Sequence, residues 1–281
     1  MSNVRIFTDS TSDLTPKIIK QNHISVIPLY VNFEDKSFVD GISITTEELY
    51  KKVEEYGMLP KTSAAAPNDF YNAFKPYIDE GKDIVFIGLS SELSSHLQNA
   101  MLAAAEFPEG RIHIIDSLNL SSAIGLLVLK AVDFAKEGMS AALIAENIKS
   151  LVPKVKTAFV IDTLEYLYKG GRCSALQSFV GSVLKIRPVI KVVEGKIILA
   201  QKLMGKREKA LNTMLLSVIK EKDNIDLSRI IVTHSISNDV EYLKTELSKH
   251  LNAKEIIETQ AGCVISSHCG PNTIGILYIE K

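Results

Sequence analysis

The feature that most constrains this chain is an alternation of two hydrophobic periods. Apolar runs of strand length recur along its first half: VRIFTDS (4–10), ISVIPLYV (24–31), DIVFIGL (83–89), RIHIIDS (111–117) and TAFVIDT (157–163). Between them lie longer amphipathic stretches with helix-start signals. Thr15-Pro16 sets an N-cap before a proline at the first helical position, and Thr45 with Glu48 makes a capping box ahead of EELYKKVEEYG. Strands that alternate with helices in this way form parallel sheets whose faces the helices cover. Residues 1–157 are therefore expected to form an N-terminal α/β domain, a mostly parallel sheet flanked by helices.

Beyond about residue 160 the rhythm changes. RPVIKVVEGKIILAQ (187–201) reads as two strands around a tight Glu194-Gly195 turn, which introduces an antiparallel pair. A charged helix (205–222), a strand (229–235), a helix (237–251), a strand (254–259) and a last strand (273–280) follow. Residues 158–281 are expected to form a C-terminal mixed α/β domain.

Composition narrows the function classes. With 32 basic against 33 acidic side chains, no excess positive charge attracts a nucleic acid. The three cysteines (Cys173, Cys263 and Cys269) carry no CxxC or zinc-ligand spacing, so neither a disulfide framework nor a metal site is expected. The N-terminal MSNVRIFTDSTSDL has no apolar signal core and no run is long enough to span a bilayer. A cytoplasmic protein is the expectation. Phosphate-loop, HExxH and GxGxxG patterns are absent as well.

Polar clusters point to the site. Ligands of open parallel sheets sit beyond the C-terminal strand ends, where helix N-termini converge. TDSTSD (8–13), KTSAAAP (61–67) and SSELSS (90–95) are read as occupying such positions. One helix needs one serine cap, so the surplus hydroxyls around Ser94 require another acceptor. LEYLYKGGRCS (164–174) reads as a helix ending in a glycine cap at Gly170 or Gly171, with Arg172 projecting from it as either a surface arginine or an anion ligand. SSHCGPN (266–272) reads as a turn before the last strand, with His268 as a donor beside it, while His234 caps its strand. Three classes of function stay open on these residues. One is a carrier of an anionic ligand; another is a serine hydrolase or acyltransferase using Ser94 with His268 and Asp9 or Asp116; the third is a sensor of an anionic metabolite. Against the hydrolase, GLSSE (88–92) has Glu92 where a nucleophile elbow needs glycine.

Taken in order, DSTSDL (9–14), PLYV (28–31), DGISITTEELY (40–50), KTSAAAP, SSELSS, DTLEYLYKGGR (162–172) and HCGPN (268–272) resemble the DegV family of bacterial fatty-acid-binding proteins, nearly end to end. The resemblance implies two α/β domains with one long-chain fatty acid held between them, and no cofactor. It implies a non-catalytic carrier that presents the carboxylate to a separate fatty acid kinase. The acyl-phosphate then passes towards phospholipid synthesis, through transient contact with an acyltransferase or a membrane surface. Position by position, the family's head-group residues match Thr62, Ser94, Arg172 and His268. Departures stand at Ser95-His96 (usually Gly-Thr), Ala66 (usually a hydroxyl) and Met204 (usually arginine). His96 is expected to bring bulk and a titratable group close to the head-group site.

Such a ligand sets opposed physical demands. Each buried methylene gains about 0.8 kcal/mol, so a tail of roughly 16 carbons brings a gross gain of about 10 kcal/mol. The carboxylate must meanwhile find donors, because an unpaired buried charge is costly. The apolar segments AIGLLVLKAV (123–132) and FVGSVL (179–184) are candidates for lining the tail's tunnel or for plain core.

Overall fold

The computed structural model describes residues 3–172 and 186–281. Its first sheet is four-stranded and wholly parallel, in the order β2-β1-β6-β7, from β1 (Val4–Asp9), β2 (Ser25–Ile27), β6 (Asp83–Gly88) and β7 (Ile112–Asp116). Helices α1 (Pro16–Gln21), α3 (Pro67–Asp79) and α4 (His96–Ala104) connect or flank these strands. Both expected starts are present: Thr15 caps α1 before Pro16, and Thr45 and Glu48 close a capping box on α2 (Thr46–Tyr56).

The expected strand at 24–31 is two strands. Pro28 has no N–H to give a ladder, and the chain leaves the parallel sheet there. It continues as β3 (Tyr30–Phe33), which with β4 (Lys36–Val39) and β5 (Lys61–Ser63) makes a small antiparallel sheet in the order β4-β3-β5. Lys61–Ser63 of KTSAAAP therefore lie on this added sheet, not at the end of a parallel strand, Thr62 pairs with Val31, and Pro67 opens α3.

Two further helices, α5 (Ser122–Lys136) and α6 (Ala141–Leu151), lead into a mixed six-stranded sheet ordered β10-β9-β8-β13-β11-β12. Its strands are β8 (Val155–Val160), β9 (Ile186–Val193), β10 (Lys196–Met204), β11 (Ile230–Ser235), β12 (Ile256–Gln260) and β13 (Thr273–Ile279). The expected hairpin is β9–β10, turning at Glu194-Gly195 with φ of 48° and 80°. Helices α7 (Glu165–Lys169), α8 (Arg207–Lys220) and α9 (Val240–His250) complete this half, with one short helix the periodicity did not signal, α10 (Cys263–Cys269). His268 is thus on a helix, where a turn was expected.

One apolar cluster runs through both halves, from Ile6 and Val85 of the first sheet through α5 to Phe159, Ile231 and Leu277 of the second. Ala123 to Leu129 of α5 are buried on every side, which is why the first half of that helix shows no polar face, while Lys130, Asp133 and Lys136 mark one in its second half. AIGLLVLKAV is accordingly core between the sheets and not a tunnel wall; FVGSVL lies outside the described residues, as does Cys173. No helix among the described residues is long and apolar enough to cross a membrane.

Candidate functional site

Elements from both halves converge on one cavity of about 310 Å3, bordered by Thr62, Ser94, Ser95, Arg172 and His268 together with Leu29, Leu93, Leu120, Ile197 and Ile265. The four residues expected at the head group therefore share one wall system, although they stand on β5, the loop before α4, the end of α7 and α10.

His268 is held by its supports at both ends of α10. At the helix start, Asp13 Oδ1 accepts from the Gly262 N–H at 2.8 Å and Asp40 Oδ1 from the Cys263 N–H at 2.7 Å. Both carboxyls come from the N-terminal half, and burial raises the pKa of each. Thr46 adds a hydroxyl bond to the Ala261 carbonyl at 2.8 Å, so α10 is fastened to the opposite half of the molecule. At the other end, His268 Nε2 lies 2.9 Å from Thr62 Oγ1, and its Nδ1 is buried without a partner. An unmet lone pair is the cheaper defect compared with an orphaned N–H, which assigns the proton to Nε2. Nε2 then donates to Thr62, whose own hydroxyl proton is left to point at a ligand. Burial, with the Arg172 charge second, depresses the His268 pKa to about 4, so the ring is neutral near pH 7.

The glycines of KGGR fit around this ring. Gly171 takes the left-handed conformation at φ 67°, within the expected cap. Gly170 is required by contact: a Cβ there would lie 2.3 Å from His268 Nδ1. Arg172 Nη1 donates to the Gly170 carbonyl at 2.8 Å, which holds the guanidinium over the cavity.

The serine cluster divides its labour. Ser90 donates to the Gly195 carbonyl at 3.0 Å and ties the β9–β10 turn to the N-terminal half. Ser91 bonds Asp116 at 2.6 Å. Ser94 Oγ accepts from the His96 N–H at 3.2 Å, leaving its proton for the cavity, and Ser95 borders the cavity beside it. His96 departs from expectation: its ring is fully buried against Phe70 and Phe86, with centroids 4.7 and 6.2 Å away, and it does not border the cavity. Its Nδ1 accepts from the Ala65 N–H at 3.3 Å, and burial lowers its pKa. Ala66 and Met204 also lie off the cavity wall, the latter 66% exposed.

Inward from His268 runs a narrower cavity of about 50 Å3 that shares Leu120, Ile197, Ile265 and His268 with the outer one. It follows the inner face of the six-stranded sheet across Gly275, where no side chain fills the space between Phe159 and Thr233. Several hydroxyl residues line it, yet each bonds away from the space. Ser121 donates to Asp13, Thr157 to Asn119 and Thr273 to the Cys269 carbonyl, while Thr233 accepts from Thr259 and Ser235 pairs with Tyr50 and Ser266. What they turn to the cavity is carbon. Sequence reasoning missed these residues because a threonine's polarity is cancelled only by partners distant in the chain. His234 also lines this inner space, its Nδ1 accepting from the Ser237 N–H at 3.2 Å.

A hydrolytic triad is not assembled. His268 is engaged with Thr62, Asp9 accepts from Thr11 and Leu89, and Asp116 accepts from Ser91 and Leu118. Among the described residues no group of three or more metal-binding side chains converges, and Cys263 and Cys269 are buried thiols whose pKa burial pushes up to about 12.

Fold and site together define a three-sheet α/β protein with a donor-rich surface cavity beside an apolar inner one. A family model described as "Uncharacterised protein, DegV family" matches residues 3–281, and the chain belongs to the DegV family. It is 34% identical over 284 residues to a DegV domain-containing protein of Caldanaerobacter subterraneus subsp. tengcongensis, covering all of both chains. Among solved structures it resembles a fatty-acid-binding DegV family protein of Thermus thermophilus (32% identity, TM-score 0.91, all of both chains). It also resembles a DegV lipid-binding protein of Thermotoga maritima (30% identity, TM-score 0.87, 100% of this chain and 99% of that one).

Proposed function

We propose that this protein binds one long-chain fatty acid, its carboxylate at Thr62, Ser94, Arg172 and His268 and its tail entering the inner cavity, which at about 50 Å3 has to widen to take more than the first few methylenes, and that it carries the acid without catalysing its conversion. What carries the reading is the adjacency of the two cavities, which share Leu120, Ile197, Ile265 and His268, with polar donors around the outer one and carbon within the inner. The fatty-acid-binding relative from Thermus thermophilus supports it. Thr62 and Ser94 supply hydroxyl donors, and Arg172 supplies the charge that offsets desolvation of the carboxylate. Ser63, Ser95 and Arg172 at the rim are exposed, so the carboxyl end stays within reach of a second protein. In this reading a fatty acid kinase phosphorylates the presented carboxylate, Arg172 and His268 steady the added charge, and the acyl-phosphate moves on towards phospholipid synthesis by way of an acyltransferase or the membrane surface.

The test is organic extraction of the purified protein followed by mass spectrometry, with intact-protein mass measured in parallel. A co-purifying free fatty acid is the expected result. An acyl adduct on Ser94 would instead mean an enzyme, and a chain that neither yields nor takes up fatty acid would sink the carrier. Transfer of labelled phosphate to the bound acid, seen only when a fatty acid kinase and ATP are added, tests the partner.

A further inference from the structure

The inner cavity reaches β8. Thr157 and Ala158 line it there, and the same two residues line a separate open groove of about 620 Å3. The groove exists because β9 leaves β8 early. The two strands pair only at Ala158–Lys191, Phe159–Ile190 and Val160–Val189. β8 starts at Val155 and β9 runs to Val193, so Val155 to Thr157 and Val192–Val193 border a slot that no ladder closes.

Between cavity and slot stands a hydrogen-bonded pair: Thr157 Oγ1 donates to Asn119 Oδ1 at 2.8 Å, and both residues are buried. Beyond the pair the groove is mixed: Val155 and Val192 are buried in its wall, while Leu118 and Val193, 36% and 46% exposed, stand among Lys156, Lys191, Glu194, Lys220, Glu221 and Glu280. An open groove with aliphatic side chains along part of its wall thus lies behind the pair.

We propose that the Thr157–Asn119 pair is the floor of the acyl site and sets the longest tail that the protein holds. This rests on the fatty-acid reading above and adds the residues that limit chain length. A tail that reaches the floor meets the Thr157 methyl. A longer one must part the pair and strand the buried Thr157 hydroxyl, since Asn119 Oδ1 keeps only its bond from the Leu120 N–H, a penalty that a few extra methylene contacts do not offset. Shorter tails forfeit roughly fourfold in affinity for each missing carbon. Affinity should therefore climb with chain length and then break sharply.

The experiment titrates the delipidated full chain with a series of saturated fatty acids of increasing length, read by displacement of a fluorescent fatty acid, with thermal melts in parallel. Thr157→Ala opens the floor, and its break should move to longer tails, gaining roughly fourfold per added carbon past the wild-type break. Thr157→Val keeps the bulk but gives up the bond, so its break should also move to longer tails, by less than that of Thr157→Ala. Asn119→Ala carries the same test from the other half of the pair if Thr157→Ala does not fold. A Thr157→Ala protein with a normal melt and the wild-type break overturns the floor. A wild-type protein that binds no fatty acid of any length overturns the carrier reading instead, so the two failures are told apart.

Discussion

Thr62 Oγ1 lies 2.9 Å from His268 Nε2, a bond between residues 206 positions apart that joins the small antiparallel sheet to α10. It closes the outer cavity across the two halves of the chain and fixes which proton each partner has left to offer.

Ser94 is the cleanest probe of the head-group site. Among the described residues its hydroxyl bonds only the His96 N–H, as acceptor, at the start of a helix with no side-chain bond from its N-cap residue, Ser95. Ser94→Ala should weaken fatty-acid binding roughly tenfold, the worth of a hydrogen bond to a charged group, while costing the fold less than about 1 kcal/mol. Melts with and without added fatty acid measure both, and a large loss of stability in the free protein would assign Ser94 to the fold instead.

Thr62→Val should behave differently. It keeps the shape and removes the acceptor of the His268 N–H, leaving a buried donor unmet. A stability loss of about 1–3 kcal/mol is expected without any ligand, together with weaker binding. Chemical denaturation of the delipidated protein reads the first effect; a variant as stable as wild type contradicts the assigned tautomer.

Gly170→Ala places a methyl 2.3 Å from His268 Nδ1 and 2.8 Å from the Tyr166 carbonyl. Because the second contact is backbone, it cannot be relieved by a rotamer change alone. The expected outcome is a displaced His268 ring and a fall in binding larger than that of Ser94→Ala. Histidine chemical shifts in an NMR spectrum of the delipidated variant report the ring, and unchanged shifts would refute the contact.

The same ring gives a pH dependence with a definite sign. Its folded pKa of about 4 lies below the ordinary histidine value of 6.5, so the unfolded chain binds more protons between those limits. The contribution to stability is complete above about pH 6.5 and is lost as pH falls towards 4, at up to about 1.4 kcal/mol per pH unit. His268→Gln should flatten this part of the stability curve. Arg172→Gln removes the second cause of the depression and should raise the pKa only partly, since burial remains the larger one. Titration of the His268 resonance in both proteins checks the order of the two causes.

Much of the architecture was legible because periodicity is a local property. A strand buried on both faces is apolar throughout, as DIVFIGL is in β6, and a capping box such as Thr45–Glu48 is complete within four residues. The failures have local causes as well. Pro28 divides what reads as one apolar run, and α10, with seven residues, is too short to show a period and owes its place to carboxyls from Asp13 and Asp40.

For the site, residue types were readable and surroundings were not. The clustered hydroxyls and the KGGR glycines announced donors near an anion, and their resemblance to the DegV pattern picked out Thr62, Ser94, Arg172 and His268. That His96, two residues from Ser94, turns into an aromatic core was invisible. So was the carbon surface presented by Ser121, Thr157, Thr233 and Ser235, because each hydroxyl is satisfied by a partner from another element. The sequence by itself determined the alternating strands and helices and the stock of proton donors, since both depend on neighbours in the chain. Only the tertiary structure decided which donors face the cavity and which spend themselves inside the protein, since a hydrogen bond has one geometry and its partner comes from wherever the sheets bring it.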